Sequence, residues 1–68
     1  LPLPPGCLGL HPHQSIVMPD LVAEMYARGK WVMPWTVNEP PRMRELVSIG
    51  VDALITDVPA LAKTTVRG

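Results

Sequence analysis

Apolar residues recur at helical spacing at Met18, Leu21, Val22, Met25 and Tyr26, while Asp20, Glu24 and Arg28 fall on the opposite side. This pattern predicts an amphipathic helix from Pro19 to Arg28. Pro19 suits its first position, where a missing N–H costs nothing, and Gly29 suits the residue just past its end. The period then changes. Trp31 to Val37 is apolar on both faces except at Thr36, as expected of a strand covered on both sides in a parallel sheet. Pro34 cannot donate to a ladder, so a bulge or an unpaired N–H side is expected there. A second helix is predicted from Pro40 to Ile49, with Met43, Leu46 and Val47 inside and Gly50 as its stop. Val51 to Thr56 reads as the next strand. Asp57 and Pro59 then offer a cap and first turn for a short helix ending near Thr65. Ahead of all these, Cys7 to Leu10 reads as a very short strand. Leu1 to Gly6 holds three prolines and reads as an extended linker or edge segment, leaving 7–68 as the structured part.

The order is helix, strand, helix, strand, helix, with short connections. That is the order of a (β/α) repeat with right-handed crossovers, an α/β fold. In such folds ligands lie beyond the carboxyl ends of the strands. Here those ends are Leu10 to His13, Trp35 to Glu39 and Thr56 to Val58, and polar residues gather at them.

Two blocks at these ends carry a resemblance. Trp35-Thr36-Val37-Asn38-Glu39-Pro40, followed by Gly50-Val51-Asp52-Ala53-Leu54-Ile55-Thr56-Asp57 with Pro59 two further on, is similar to the closing signature of glycerophosphodiester phosphodiesterases. The spacing of the blocks and the upstream helix ending at Gly29 match as well, over residues 8 to 62. The resemblance implies a TIM-type barrel of about 250 residues, incomplete in this chain, with the C-terminal (β/α) units present. Trp35 to Asn38 would close its seventh strand and Leu54 to Asp57 its eighth. It also implies hydrolysis of glycerophosphodiesters to glycerol phosphate and an alcohol, with a divalent cation, Mg or Ca. The family's His-Arg-Gly block, Glu-Asn-Thr block and following His-Asp pair do not occur in this sequence. No catalytic residue and no metal ligand is therefore assigned here, and the chain is expected to be inactive alone.

Two residues are candidates for contact with the substrate. Trp35 would stack on the glycerol or leaving-group side at the barrel mouth, or else pack in the barrel interior. Asn38 has little use as a helix cap, because the residues whose N–H groups it would seek are Pro40 and Pro41. With Glu39 as the cap, Asn38 is released to brace a loop or to contact the substrate. Those prolines also impair the helix N-terminus as an anion cradle. Asp57 reads as the helix cap and Thr56 as a brace of the strand end. Asp52 lies early in its strand, on the stability side, and is excluded from the site. His11 and His13 have the alternate spacing of a metal pair, but two ligands make a poor site and a proline-braced loop fits better. Cys7 reads as a small buried apolar residue.

Composition acts mainly by exclusion. With 68 residues the chain buries only roughly 60% of its unfolded surface. It has no Phe and only three large aromatics, Tyr26, Trp31 and Trp35, so core-filling side chains are few. Six basic and six acidic residues cancel, which favours neither nucleic acid nor an anionic membrane. One cysteine rules out an internal disulfide. No apolar run approaches the roughly 18 residues of a membrane span. The start lacks the basic and apolar runs of a signal peptide, which leans towards a cytoplasmic setting. The expected partners are the remainder of the barrel, with its glycerophosphodiester substrate, or further copies of the chain. In the latter case it would be a non-catalytic, self-associating α/β module.

Overall fold

The computed structural model describes Leu3 and residues 5–67. Strand β1 (Gly9–Leu10) leads through a single 3₁₀ turn (Gln14–Ile16) into helix α1 (Pro19–Ala27). Strand β2 (Trp31–Val32), helix α2 (Pro40–Ile49) and helix α3 (Pro59–Arg67) follow. β1 and β2 pair in parallel, Gly9 opposite Trp31 and Leu10 opposite Val32, with α1 as the crossover. The expected α/β repeat is present. Of the expected Leu1–Gly6 linker, positions 1, 2 and 4 lie outside the described residues, and Pro5–Gly6 forms a turn.

Both crossover helices end as their glycines dictate. Gly29 and Gly50 take positive φ of 69° and 106°, conformations a side chain would resist. The inner stripes are narrower than the periodicity predicts. Val22 and Met25 of α1 are buried, but Met18 and Tyr26 are exposed. Met43 and Leu46 of α2 are buried, whereas Val47 is not. The reason is geometric: each helix covers only a two- or three-rung sheet, so residues at the stripe's margins find nothing beneath them. The core gathers Val17, Val22, Val37, Met43, Leu46 and Ala62, with Ile49, Val51 and Leu54 packed against it.

The strands are also shorter than expected. The Trp31–Val37 strand is reduced to Trp31–Val32 and an isolated parallel bridge between His13 and Trp35. Between the Leu10–Val32 pair and that bridge, Pro12 has no N–H to give Met33 O, although the Met33 and Trp35 N–H groups still reach Leu10 O and Pro12 O. Pro34 was the expected fault, but it faces the Val51–Ile55 segment, where its carbonyl accepts the Ile55 N–H. The Trp35–Thr36 peptide is cis.

Val51–Thr56 is not a regular strand, although it lies where one was expected. Asp52 N–H donates to Val32 O at 3.0 Å, Ile55 N–H to Pro34 O at 3.0 Å, and Val37 N–H to Ile55 O at 2.9 Å. From the first rung to the second this segment advances three residues while its partner advances two, which breaks the register as a bulge does. Asp57 is corrected too. The final helix begins at Pro59, so Val58 holds the position before it, and the Asp57 side chain is engaged with Asn38 instead. The helix runs to Arg67, two residues past its expected end.

Candidate substrate-binding site

The carboxyl ends of β1, β2 and the Val51–Ile55 segment point the same way, which follows from their parallel hydrogen bonding. Trp35 is tied to the first of these ends. Its indole Nε1–H donates to His11 O at 2.7 Å and its backbone N–H to Pro12 O at 3.0 Å. Its carbonyl accepts the Gln14 N–H at 2.7 Å. The His13 and Trp35 rings pack in a T-shape, with centroids 5.0 Å apart at 85°. Despite these ties the residue is 44% exposed in this chain.

Asn38 is tied to the third end. Its Oδ1 accepts from the Thr56 hydroxyl and from the Asp57 N–H, both at 3.0 Å, and its Nδ2 donates to Asp57 Oδ2 at 3.2 Å. Thr56 Oγ1 in turn accepts the Val58 N–H at 3.1 Å. Asn38 therefore braces the loop between the last strand segment and α3. Its bonds use both lone pairs of the amide oxygen and one of two amide hydrogens, leaving one donor free. Glu39 takes the position before α2, as the two prolines require.

The two histidines are engaged separately. The His11 ring packs against Trp31, with centroids 4.8 Å apart at 72°. His13 Nδ1 accepts the Ser15 N–H at 3.2 Å and lies 2.7 Å from Ser15 Oγ, capping the 3₁₀ turn. Among the described residues no three His, Cys, Asp or Glu side chains gather where they could hold a metal ion. These residues do not fit the divalent cation that the resemblance implies. Cys7 is half-buried, with its thiol donating to Gly9 O at 3.1 Å.

One residue of this region makes long-range contacts that carried no sequence signal. Arg42, on the first turn of α2, reaches back to the loop after β1, where Nε donates to Gln14 Oε1 at 2.8 Å. Its guanidinium also donates to the carbonyls of Gln14 and Val17 and pairs with Glu45. The Glu45 pair could be read from the i, i+3 spacing; the contacts with Gln14 and Val17 span 28 and 25 residues and could not. Away from these ends, a cavity of about 380 Å³ opens between α2 and α3, lined mainly by Val47, Val51, Leu54, Ala62 and Val66.

Residues 4–61 match the family described as the glycerophosphoryl diester phosphodiesterase family. A glycerophosphodiester phosphodiesterase of Caldanaerobacter subterraneus subsp. tengcongensis is 36% identical over 58 residues, which make up 85% of this chain and 24% of that protein. A solved structure from Silicibacter pomeroyi DSS-3, assigned as a glycerophosphoryl diester phosphodiesterase, superposes with a TM-score of 0.87 at 37% identity. That match covers 91% of this chain and 21% of the other. An Oleispira antarctica phosphodiesterase, solved with the product sn-glycerol-3-phosphate, gives a TM-score of 0.86 at 31% identity over 91% of this chain and 25% of its own. The chain thus spans about a quarter of the length of the proteins it matches.

Proposed function

Because the chain belongs to the glycerophosphoryl diester phosphodiesterase family, we propose that it is the C-terminal part of a TIM-type barrel that hydrolyses glycerophosphodiesters to glycerol phosphate and an alcohol. The observation that carries this reading is the gathering of Trp35 and Asn38 at the shared carboxyl end of three parallel chain segments, where barrels bind their ligands.

The two residues would recognise the substrate by different means. The single N–H of the Trp35 indole is already donated to His11 O, so it has nothing to offer a phosphate oxygen. What remains is the ring face, suited to the glycerol or leaving-alcohol side. Asn38 keeps one amide hydrogen, enough for one bond to a substrate hydroxyl. The start of α2 is a poor phosphate site, since Pro40 and Pro41 remove two of its free donors. Phosphate, the acid/base histidines and the divalent cation, Mg or Ca, accordingly belong to the parts of the barrel outside this chain. His11 and His13 are engaged with tryptophan rings and a turn, and do not replace them.

The chain alone is therefore expected to be inactive. The test is an assay of the purified chain with a glycerophosphodiester and Mg or Ca, alone and mixed with the preceding part of a relative's barrel. No turnover alone and turnover on mixing are expected. Turnover by the chain alone that disappears on His11→Ala or His13→Ala would overturn the reading.

A second reading, a non-catalytic self-associating module, draws on the exposed apolar side chains of α3 and the sheet, among them Leu61, Val66 and Ile55. It concerns this chain on its own, and the same mixing experiment separates the two.

A further inference from the structure

The loop between β1 and α1 does more than connect them. Four successive residues, His11 to Gln14, each touch Trp35: two carbonyls accept its N–H groups, one N–H meets its carbonyl, and one ring meets its indole. The backbone contacts fix where Trp35 starts and the His11 carbonyl fixes one end of the indole. Departure of the ring from that hydrogen bond is opposed by the His13 imidazole, which packs perpendicular to it. His13 is itself held at Nδ1 by the N–H of Ser15, so its ring cannot swing away without uncapping the 3₁₀ turn. We infer that His13 is a positioning residue, whose ring, perpendicular to the Trp35 indole, holds the indole on its hydrogen bond to His11 O. The inference rests on the reading of Trp35 as a recognition side chain, but its test needs no turnover.

His13 has two separable tasks, and two substitutions divide them. His13→Phe keeps an aromatic ring against the indole and loses the acceptor for Ser15. His13→Asn keeps a good capping oxygen and loses the ring. The readout is hydrogen exchange of the Trp35 indole N–H, followed by nitrogen-resolved NMR of the 68-residue chain, with the two indole signals assigned by Trp31→Phe. The expected result is an exchange rate in His13→Phe close to that of the parent. In His13→Asn it should rise roughly three- to tenfold, the size an edge-to-face aromatic pair supplies. Equal rates in parent, Phe and Asn variants would overturn the proposal. So would faster exchange in Phe but not in Asn, which would make the cap the only role of His13. Loss of helical circular dichroism in His13→Asn, or an indole proton exchanging at the free-tryptophan rate in the parent, would overturn it as well. Failure of the substrate-binding reading would appear only in turnover, and leaves these rates unchanged.

Discussion

Asp52 and Val32 exchange two hydrogen bonds: the Asp52 N–H donates to Val32 O at 3.0 Å, and the Val32 N–H donates to Asp52 Oδ2 at 2.7 Å. The carboxylate stands in for a backbone carbonyl that the irregular Val51–Ile55 segment cannot present. Val32 is buried, so its N–H has no water to turn to. Asp52→Ala is expected to destabilise the chain by about 1–3 kcal/mol, the cost of an unsatisfied buried donor. Asp52→Asn retains an oxygen acceptor and should lose less. Urea melts of the two variants check this; no loss in Asp52→Ala would mean that the clamp contributes nothing, and equal losses in both would mean that an amide oxygen cannot replace the carboxylate.

Gly9 is the second point at which one atom decides a contact. A Cβ built there would lie 2.1 Å from Trp31 Cδ2 and 2.5 Å from Trp31 O. The indole cannot simply rotate aside, because the backbone oxygen is in the way too. Gly9→Ala should separate β1 from β2 at their first rung and cost roughly 1–3 kcal/mol or more, as overpacking does. The check is the midpoint of thermal unfolding together with the near-ultraviolet signal of Trp31. An unchanged midpoint would refute the close packing of Trp31 on Gly9.

How far the sequence discloses this arrangement depends on the range of each interaction. The helices were legible because their signals are local: Pro19, Pro40 and Pro59 open them, and Gly29 and Gly50 close the first two. The strand limits were not, because they depend on Pro12 meeting the Met33 carbonyl across a pair that only the fold creates. Asp57 was misread for a similar reason. It has the right type and nearly the right place for a cap, but Asn38, 19 residues away, claims its side chain. At the candidate site, the block and its position single out Trp35 and Asn38, and Asp52 binds the backbone of Val32 at the other end of its segment. Arg42, Gly9 and the pairing of His13 with Trp35 were not legible, since each is a contact across separate elements with no periodic trace.

The contrast between the two ends of the sheet can be read in an intact relative carrying this segment. Trp35 lies at the carboxyl end of its strand and is exposed, whereas Asp52 serves a backbone N–H near the amino end. Trp35→Ala is expected to raise KM for a glycerophosphodiester several-fold more than Asp52→Asn does, while Asp52→Asn shows itself in stability. A stacked ring contact contributes on the order of 0.5–1.5 kcal/mol, or about 2- to 12-fold in apparent affinity. Equal losses of activity in the two variants, or unfolding caused by Trp35→Ala alone, would assign Trp35 to packing.

Association is the remaining expectation, and it follows from which faces the helices cover. Along β2 and the residues after it, Val32, Pro34 and Val37 are buried, while Trp31 and Met33 are half-buried and Trp35 is exposed. The helices thus lie over one face, and the face that would line a barrel is left largely to solvent. On α3, Leu61 and Val66 are 45% and 44% exposed, and Val66 borders the cavity between α2 and α3. Burying a large apolar side chain is worth about 1.5–3 kcal/mol, so a few of them rival the 5–15 kcal/mol or so that holds an ordinary domain together. The sheet edges also carry backbone groups available for pairing. The isolated chain is accordingly expected to sediment with a concentration-dependent mass, and Leu61→Glu with Val66→Glu should shift it towards the monomer. If instead the parent chain is a dilute monomer that melts cooperatively and keeps sharp tryptophan bands, 68 residues close a core without help from any neighbour.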